Sequence, residues 1–385
     1  MKMKMKKNGC IIFLIFLLCV ASCHHRPVYP PVLNVADNLA YVASQEAIQT
    51  LGELVNADII LKSPTKLLII GDYLLISQFR KDSLIQLVDI ENDSKPYMIA
   101  PVGTGPHDFY DIQNLLFLSK DSLLAIYDMN YRKYSYYKVD KKQILIGKSN
   151  YQGSDYLKIR ETNNNPVPFN DYYIMSMAKE RKVLALVDRN MNVTEYFGEY
   201  PGEYPGEIDI SFSLDQEFPF SESDLFKLSH YQLITTNPKQ DRIVVSGKWS
   251  DWLAFFKKEG NEMKQITSYF SYDTFTKVSD DPFNSGIRGR VIGPKHSTKT
   301  IASYQDLYAT ERYLYALYYG FPELDKDNPN NSCYILQFDW DGNYQKAYHL
   351  QEVISHFAVD EQRNCIYATY TPKGEDPMLL KYKLK

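Results

Sequence analysis

Tyr73-Leu-Leu-Ile-Ser-Gln78, Leu123-Leu-Ala-Ile-Tyr-Asp128, Val183-Leu-Ala-Leu-Val-Asp188, Arg242-Ile-Val-Val-Ser-Gly247, Leu314-Tyr-Ala-Leu-Tyr-Tyr319 and Cys365-Ile-Tyr-Ala-Thr-Tyr370 are six versions of one segment. Each is rich in β-branched or aromatic residues and is apolar on both faces, the composition of a strand covered on two sides. Their starts recur at intervals of about 50 to 70 residues, the length of a propeller blade with its loops. A second apolar run stands just upstream of most of them, as in Leu67-Leu-Ile-Ile70, Leu115-Leu-Phe-Leu118, Tyr173-Ile-Met-Ser176 and His356-Phe-Ala-Val359. The two runs are joined by short polar turns such as Gly71-Asp72 and Lys120-Asp121-Ser122. They read as the first hairpin of a repeat.

A second hairpin follows, with turns at Val139 to Lys142, Lys257 to Asn261 and Asp339-Trp-Asp-Gly-Asn343, where Asp-Gly supplies the positive φ that tight hairpins favour. Four strands repeated six times predict an all-β fold, a six-bladed β-propeller with four-stranded antiparallel blades. Evenly spaced strands would also suit a large sandwich or two barrels. Segments apolar on both faces favour blades packed between neighbours, and the lack of long amphipathic helices argues against α/β folds.

A propeller must close its ring, because an unpaired edge strand invites aggregation. The chain runs to Met378-Leu-Leu-Lys-Tyr-Lys-Leu384, which reads as the third strand of the last blade. Its outer strand is therefore expected from about Gln45 to Leu54, although Gln-Glu-Ala-Ile-Gln-Thr-Leu-Gly-Glu-Leu favours helix on propensity alone.

The N-terminus gives an address. Lys2, Lys4, Lys6 and Lys7 precede the apolar run Ile11 to Val20, which is too short to span a bilayer of roughly 30 Å. Val20-Ala21-Ser22-Cys23 then matches a bacterial lipobox, with Cys23 as the lipidated residue. Residues 1–22 are thus expected to be a lipoprotein signal peptide, 23–44 a lipidated, proline-containing tether, and 45–385 the propeller. No acidic residue follows Cys23 closely, so neither an inner-membrane retention aspartate nor an acidic surface-export run is seen, and analogy with other lipoproteins then implies an outer-membrane anchor facing the periplasm. His24 and His25 read as polar linker. With 43 basic against 47 acidic residues and no basic stripe, there is no electrostatic case for nucleic acid. Of the five cysteines only Cys333 and Cys365 fall in the propeller; both sit in apolar strand patterns, where a buried free thiol is the commoner state, with a disulfide as the alternative.

The lipobox and the six repeats resemble the TolB-like six-bladed propeller lipoproteins of Gram-negative bacteria, from about Ile48 onward. Gly103-Thr-Gly-Pro-His-Asp-Phe109 is similar to the Gly-rich turn leading from blade to blade in related NHL-type repeats. His107 and Asp108 replace the usual Gly-Glu, and Gly202 to Glu207 is a looser second copy. The resemblance implies a scaffold with a binding role and supplies no catalytic residues.

Chemistry has few footholds in the sequence. Gly103-Thr104-Gly105 lacks the Lys-Ser/Thr of a phosphate loop, and no His-Glu-x-x-His, Cys-x-x-Cys or Gly-x-Ser-x-Gly occurs. No cofactor or metal site is indicated. Three long loops, 151–170, 199–227 and 272–300, are where function is expected to concentrate. His107, Asp108, Trp249, Trp252, Arg288, Arg290 and His296 are the candidate binding residues, the arginines for an anion and the tryptophans for a flat or sugar-like ligand. The competing reading packs the tryptophans between blades and leaves the arginines solvated. The leading expectation is a lipid-anchored envelope module that binds or scaffolds a protein or glycan partner. The alternative is a metal-dependent, lactonase-like hydrolase or lyase at one mouth of the channel. Replacing Cys23 by Ala is expected to move the protein from the membrane fraction to the soluble fraction on cell fractionation; an unchanged membrane fraction would contradict the lipobox.

Overall fold

The computed structural model describes residues 47–55, 59–92, 95–140, 144–158, 166–202, 208–209, 222–273, 276–281 and 291–384. Cys23, Arg288 and Arg290 lie outside them. Two short strands come first, β1 (Ile48–Thr50) and β2 (Gly52–Leu54). Blade 1 holds β3 (Pro64–Ile70), β4 (Tyr73–Gln78), β5 (Ser83–Asp89) and β6 (Tyr97–Pro101). Blade 2 holds β7 (Ile112–Leu118), β8 (Leu123–Asp128), β9 (Lys133–Lys138) and β10 (Tyr151–Tyr156). Blade 3 holds β11 (Val167–Phe169), β12 (Tyr172–Lys179), β13 (Lys182–Asp188) and β14 (Val193–Glu199). After β15 (Ile208–Asp209) and the helix α1 (Glu222–Ser229) comes blade 4, with β16 (Gln232–Thr236), β17 (Arg242–Gly247), β18 (Trp252–Glu259) and β19 (Glu262–Phe270). β20 (Lys277–Asp281) and β21 (Val291–Lys295) precede blade 5, which holds β22 (Ile301–Ala309), β23 (Tyr313–Pro322), β24 (Cys333–Asp339) and β25 (Tyr344–Leu350). Blade 6 holds β26 (Ile354–Asp360), β27 (Cys365–Tyr370) and β28 (Met378–Lys383).

Each blade is an antiparallel meander, and the first strands of the blades, β3, β7, β11, β16, β22 and β26, form the innermost ring. The second strands carry the repeat read from the sequence. Leu74, Leu75 and Ile76 of β4 and Leu124, Ala125 and Ile126 of β8 are fully buried on both faces because each blade is sandwiched between two others. Blade 3 departs from the expected alignment. Tyr172–Lys179 is its second strand and Val183–Asp188 its third, so the inner strand is the three-residue Val167-Pro168-Phe169. Pro168 has no N–H to give a ladder, and a strand so short carries no readable alternation. The expected loop from 151 begins instead with the fourth strand of blade 2, whose polar Tyr151-Gln-Gly-Ser-Asp-Tyr156 has no fully buried residue and so no apolar run to mark it.

Closure follows the predicted route with one addition. β2 pairs antiparallel with β28, placing Gly52 opposite Tyr382 and Leu54 opposite Leu380, and completes blade 6. β1 pairs in parallel with β25, so the same N-terminal stretch adds a fifth strand to blade 5. Thr50 Oγ1 donates to the Lys383 carbonyl at 2.9 Å and the Val55 amide to the Leu379 carbonyl at 3.1 Å. At the other side of the seam Arg363, in the β26–β27 turn of blade 6, reaches Asp72 and Glu91 of blade 1, each at 2.5 Å, while holding its own Asp360 at 2.7 Å.

Two of the long loops contain structure of their own. β15 pairs in parallel with β20, which pairs antiparallel with β21, making a small sheet outside the blades. α1 packs against β12, β20 and β21. Cys333 and Cys365, on β24 and β27, are buried free thiols. Burial pushes the Cys333 thiol up to about 12.

The Asp339 to Asn343 turn shows how neighbouring blades lock. Gly342 has φ +83°, and a Cβ there would stand 2.1 Å from Thr267 Cγ2 and 3.0 Å from the Phe255 ring of blade 4. Gly342→Ala is expected to destabilise the fold by roughly 2–4 kcal/mol, combining a left-handed non-glycine residue with overpacking. Denaturant melts of the two chains check this, and a loss below about 0.5 kcal/mol, the range of neutral surface substitutions, would contradict it.

Candidate functional site

The six inner strands run in the same direction, so the channel they enclose has an end where they begin and an end where they finish. A cavity of about 190 Å³ occupies the first end, lined by the early residues of the inner strands, among them Thr65, Gln113, Gln232, Gln305 and His356. A cavity of about 390 Å³ occupies the second end, lined by later residues such as Leu67, Ile69, Leu115, Phe117, Pro238 and Tyr308. Lys66, Thr235 and Leu307 line both cavities and mark the waist between them.

A buried charge cluster stands at that waist. The Lys66 ammonium of blade 1 donates to Asp306 Oδ1 of blade 5 at 2.6 Å and to the Leu307 carbonyl at 2.9 Å. The Leu307 amide donates to the same Oδ1 at 2.9 Å, and His356 Nδ1 of blade 6 lies 3.5 Å from Oδ2. Burial alone would raise the Asp306 carboxyl, but the Lys66 charge and His356 outweigh it and hold the group below the ordinary aspartate value. Three residues from three blades thus hold the centre of the ring together, at a site where removing one partner would strand a charge.

The three long loops belong to the first end. In a meander of four strands, the connection from the outer strand of one blade to the inner strand of the next lies where inner strands begin; 157–166, 200–231 and 271–300 are all connections of this kind. The inner hairpins at the second end are short, as at Gly71–Asp72 and Asn170–Asp171, whereas the outer connection of blade 2 at that end, 139–150, spans twelve residues. Beside the first cavity, Trp249 packs on His296 with ring centroids 4.5 Å apart and on Tyr231 at 6.1 Å. Trp249 Nε1 donates to Glu323 at 3.3 Å. The Lys248 ammonium lies 5.6 Å from the Tyr231 ring centre and 5.9 Å from that of Trp249. Burial lowers the Lys248 ammonium below the usual lysine range, against the pull of Glu323, and burial likewise lowers His296.

Of the residues singled out in the sequence, Trp249 and His296 meet at this mouth. Trp252 is elsewhere, buried between blades 3 and 4 with the Tyr200 ring edge-on at 5.2 Å. His107 packs its ring against Tyr151 at 4.9 Å and near Tyr137 at 6.3 Å, on the outer strands of blade 2 and away from the axis. Asp108 turns back to accept the Gly105 amide at 2.8 Å. A Cβ at Gly103 would fall 2.3 Å from the Asp108 carboxylate, which explains the Gly-x-Gly as a tight turn with its acceptor inside. Lys66, Asp306, Gln113, Gln305 and Lys248 escaped the sequence reading. The readable signal was a charge interrupting an apolar strand, as in Thr65-Lys66-Leu67 and Gln305-Asp306-Leu307. Among the described residues no group of three or more His, Cys, Asp or Glu side chains is placed to hold a metal ion.

The family model described as TolB-like 6-blade propeller-like matches residues 44–362. The chain belongs to this TolB-like propeller family. Among solved structures, the TolB-like fold seen here is similar to a member of the duf4221 family from Bacteroides vulgatus ATCC 8482, at 11% identity over 88% of this chain and 97% of that one, with a TM-score of 0.50. It is also similar to a protein from Bacteroides fragilis NCTC 9343, provisionally described as exported, at 11% identity over 89% and 96% of the two chains, with a TM-score of 0.46. At such identities the likeness concerns the fold alone. No curated protein matches the chain.

Beside the mouth of this TolB-like propeller, Asp251 accepts a hydrogen bond from Ser271 Oγ, and burial pushes its carboxyl up to about 6. The folded state therefore binds a proton that the unfolded state, with a carboxyl near 3.8, has already lost. This group's contribution to stability must fall as pH rises from 4 through 6, by roughly 3 kcal/mol in total, because each tenfold change in proton affinity is worth about 1.4 kcal/mol. Denaturant melts from pH 4.5 to 7.5 are expected to show this falling component in the natural chain and to lack it in Asp251→Asn; equal slopes in the two would contradict the assignment.

Proposed function

We propose that the chain is a lipid-anchored binding module of the cell envelope whose ligand or partner engages the mouth where the inner strands begin. The observation that carries this reading is the coincidence of a polar cavity with the loops: every blade except the third contributes to the lining, and the two longest connections between blades, 200–231 and 271–300, start and finish at that end. Long loops held by a rigid scaffold are where recognition is built, and a concave site with several polar groups and a few rings is suited to it. The lipobox at Cys23 supports an outer-membrane anchor facing the periplasm, and the envelope would then supply the protein or glycan to be bound.

The test is a thermal-shift screen of envelope sugars, peptides and small anions against the natural chain, Gln305→Ala at the first cavity and Phe117→Ala at the second. A saturating ligand at about 100 times its Kd adds about 2.7 kcal/mol, enough to raise the melting temperature by about 2 °C or more. The reading expects at least one component to stabilise the natural chain and Phe117→Ala but not Gln305→Ala. A gain that survives in Gln305→Ala and disappears in Phe117→Ala would place the ligand at the other mouth.

A further inference from the structure

The first cavity carries more cation than its carboxylate can answer. Two ammonium groups, Lys66 and Lys248, line it with one carboxylate, Asp306, and the His356 imidazole. Asp306 is already committed, to Lys66 at 2.6 Å and to His356 at 3.5 Å. Among the described residues the Lys248 ammonium donates no hydrogen bond and forms no ion pair; its neighbours are the faces of Tyr231 and Trp249. Glu323, the nearest acidic influence, is engaged with Trp249 Nε1 at 3.3 Å and Lys326 at 3.9 Å. A half-buried ammonium held by ring faces and solvent, without a protein acceptor, gains from an anion placed beside it. Gln232 repeats the pattern in neutral form: its Oε1 accepts from Ser176 Oγ at 2.8 Å, and its buried Nε2 has no acceptor.

The rest of the lining says what the anion is attached to. Gln113, Asn114, Thr235 and Gln305 bring amides and a hydroxyl to the lining, and Tyr231 brings a ring face. The amide nitrogens of Gln113, Asn114 and Gln305 are held by Asp111 at 2.6 Å, Tyr134 Oη at 3.4 Å and the Lys248 carbonyl at 3.2 Å respectively. At about 190 Å³ the cavity is smaller than the roughly 300–1,000 Å³ of drug-sized sites and suits one sugar ring. Resting on the binding role proposed above, we infer that this mouth receives a small hydroxylated carboxylate of the uronic acid class, with its carboxylate on Lys248 and its hydroxyls on the amides of the inner strands.

Calorimetric titration of the full chain in detergent with galacturonate, galactose, acetate and inorganic phosphate tests this, on the natural protein, Lys248→Met and Lys248→Gln. Galacturonate is expected to bind at least 10-fold more tightly than galactose, acetate or phosphate, and both variants to lose at least 10-fold for galacturonate alone. Their melting temperatures without ligand are expected to be equal to or above that of the natural chain, because an unanswered charge has been removed. Equal binding of galactose, equal binding of acetate or phosphate, or undiminished galacturonate binding in two folded variants overturns the inference. If galacturonate fails but another screened component stabilises the natural chain and not Gln305→Ala, the uronate inference falls and the binding role stands; if no component of that screen stabilises the chain, both fall.

Discussion

Everything in this molecule depends on the pairing of β2 with β28. A ring of blades has no layer beneath it to share the burden: each blade is stable because it is covered on both sides, and the last blade is covered only if the ring shuts. Gly52 to Leu54, from one end of the chain, supply the fourth strand of a blade whose other three come from the opposite end. The hydrogen bonds involved contribute only about 1 kcal/mol each, but they remove an open edge that would otherwise be free to pair with another molecule. Arg363 adds an electrostatic clasp across the same seam, bridging Asp360 of its own blade to Asp72 and Glu91 of blade 1.

Closure also creates the site. Once the ring is shut, six inner strands point the same way around a common axis, and side chains far apart in sequence become neighbours. Lys66 and Asp306, separated by 240 positions, meet at 2.6 Å only because blades 1 and 5 are both held in the ring through blade 6. The same topology sorts the connections by end: the two longest between blades, 200–231 and 271–300, start and finish where the inner strands begin, at the end that holds the smaller cavity. A scaffold of this kind separates the two demands on the chain: strands bury apolar faces between blades, and loops are free to carry recognition.

The fold was legible because its signal is local and repeated. Five of the six quoted segments are the second strands of their blades, and their two-sided burial follows from the apolar runs themselves. Blade 3 was misaligned by one strand because Pro168 and the shortness of Val167–Phe169 erase the inner-strand pattern. The closing strand was legible from topology against propensity, whereas the parallel addition of β1 to blade 5 has no signature in Ile48-Gln49-Thr50. The mouth was only half legible. Trp249 and His296 stood out as rare residues in a loop, but His107 and Asp108 owe their places to a tight turn, and Trp252 to packing. The waist residues were hidden because no spacing motif links positions 66, 306 and 356; their convergence is a property of the closed ring.

Native-state hydrogen exchange at the seam measures that closure most directly. If the ring is shut by the N-terminal strand, the backbone amides of Glu53 and Val55, the two that face β28 by the alternation of an antiparallel pair, will exchange as slowly as those of β28 and at the free energy of global unfolding. Fast exchange of the Glu53 and Val55 amides beside a slowly exchanging β28 would show that the last blade stands without the N-terminal strand, and would contradict the closure on which the site depends.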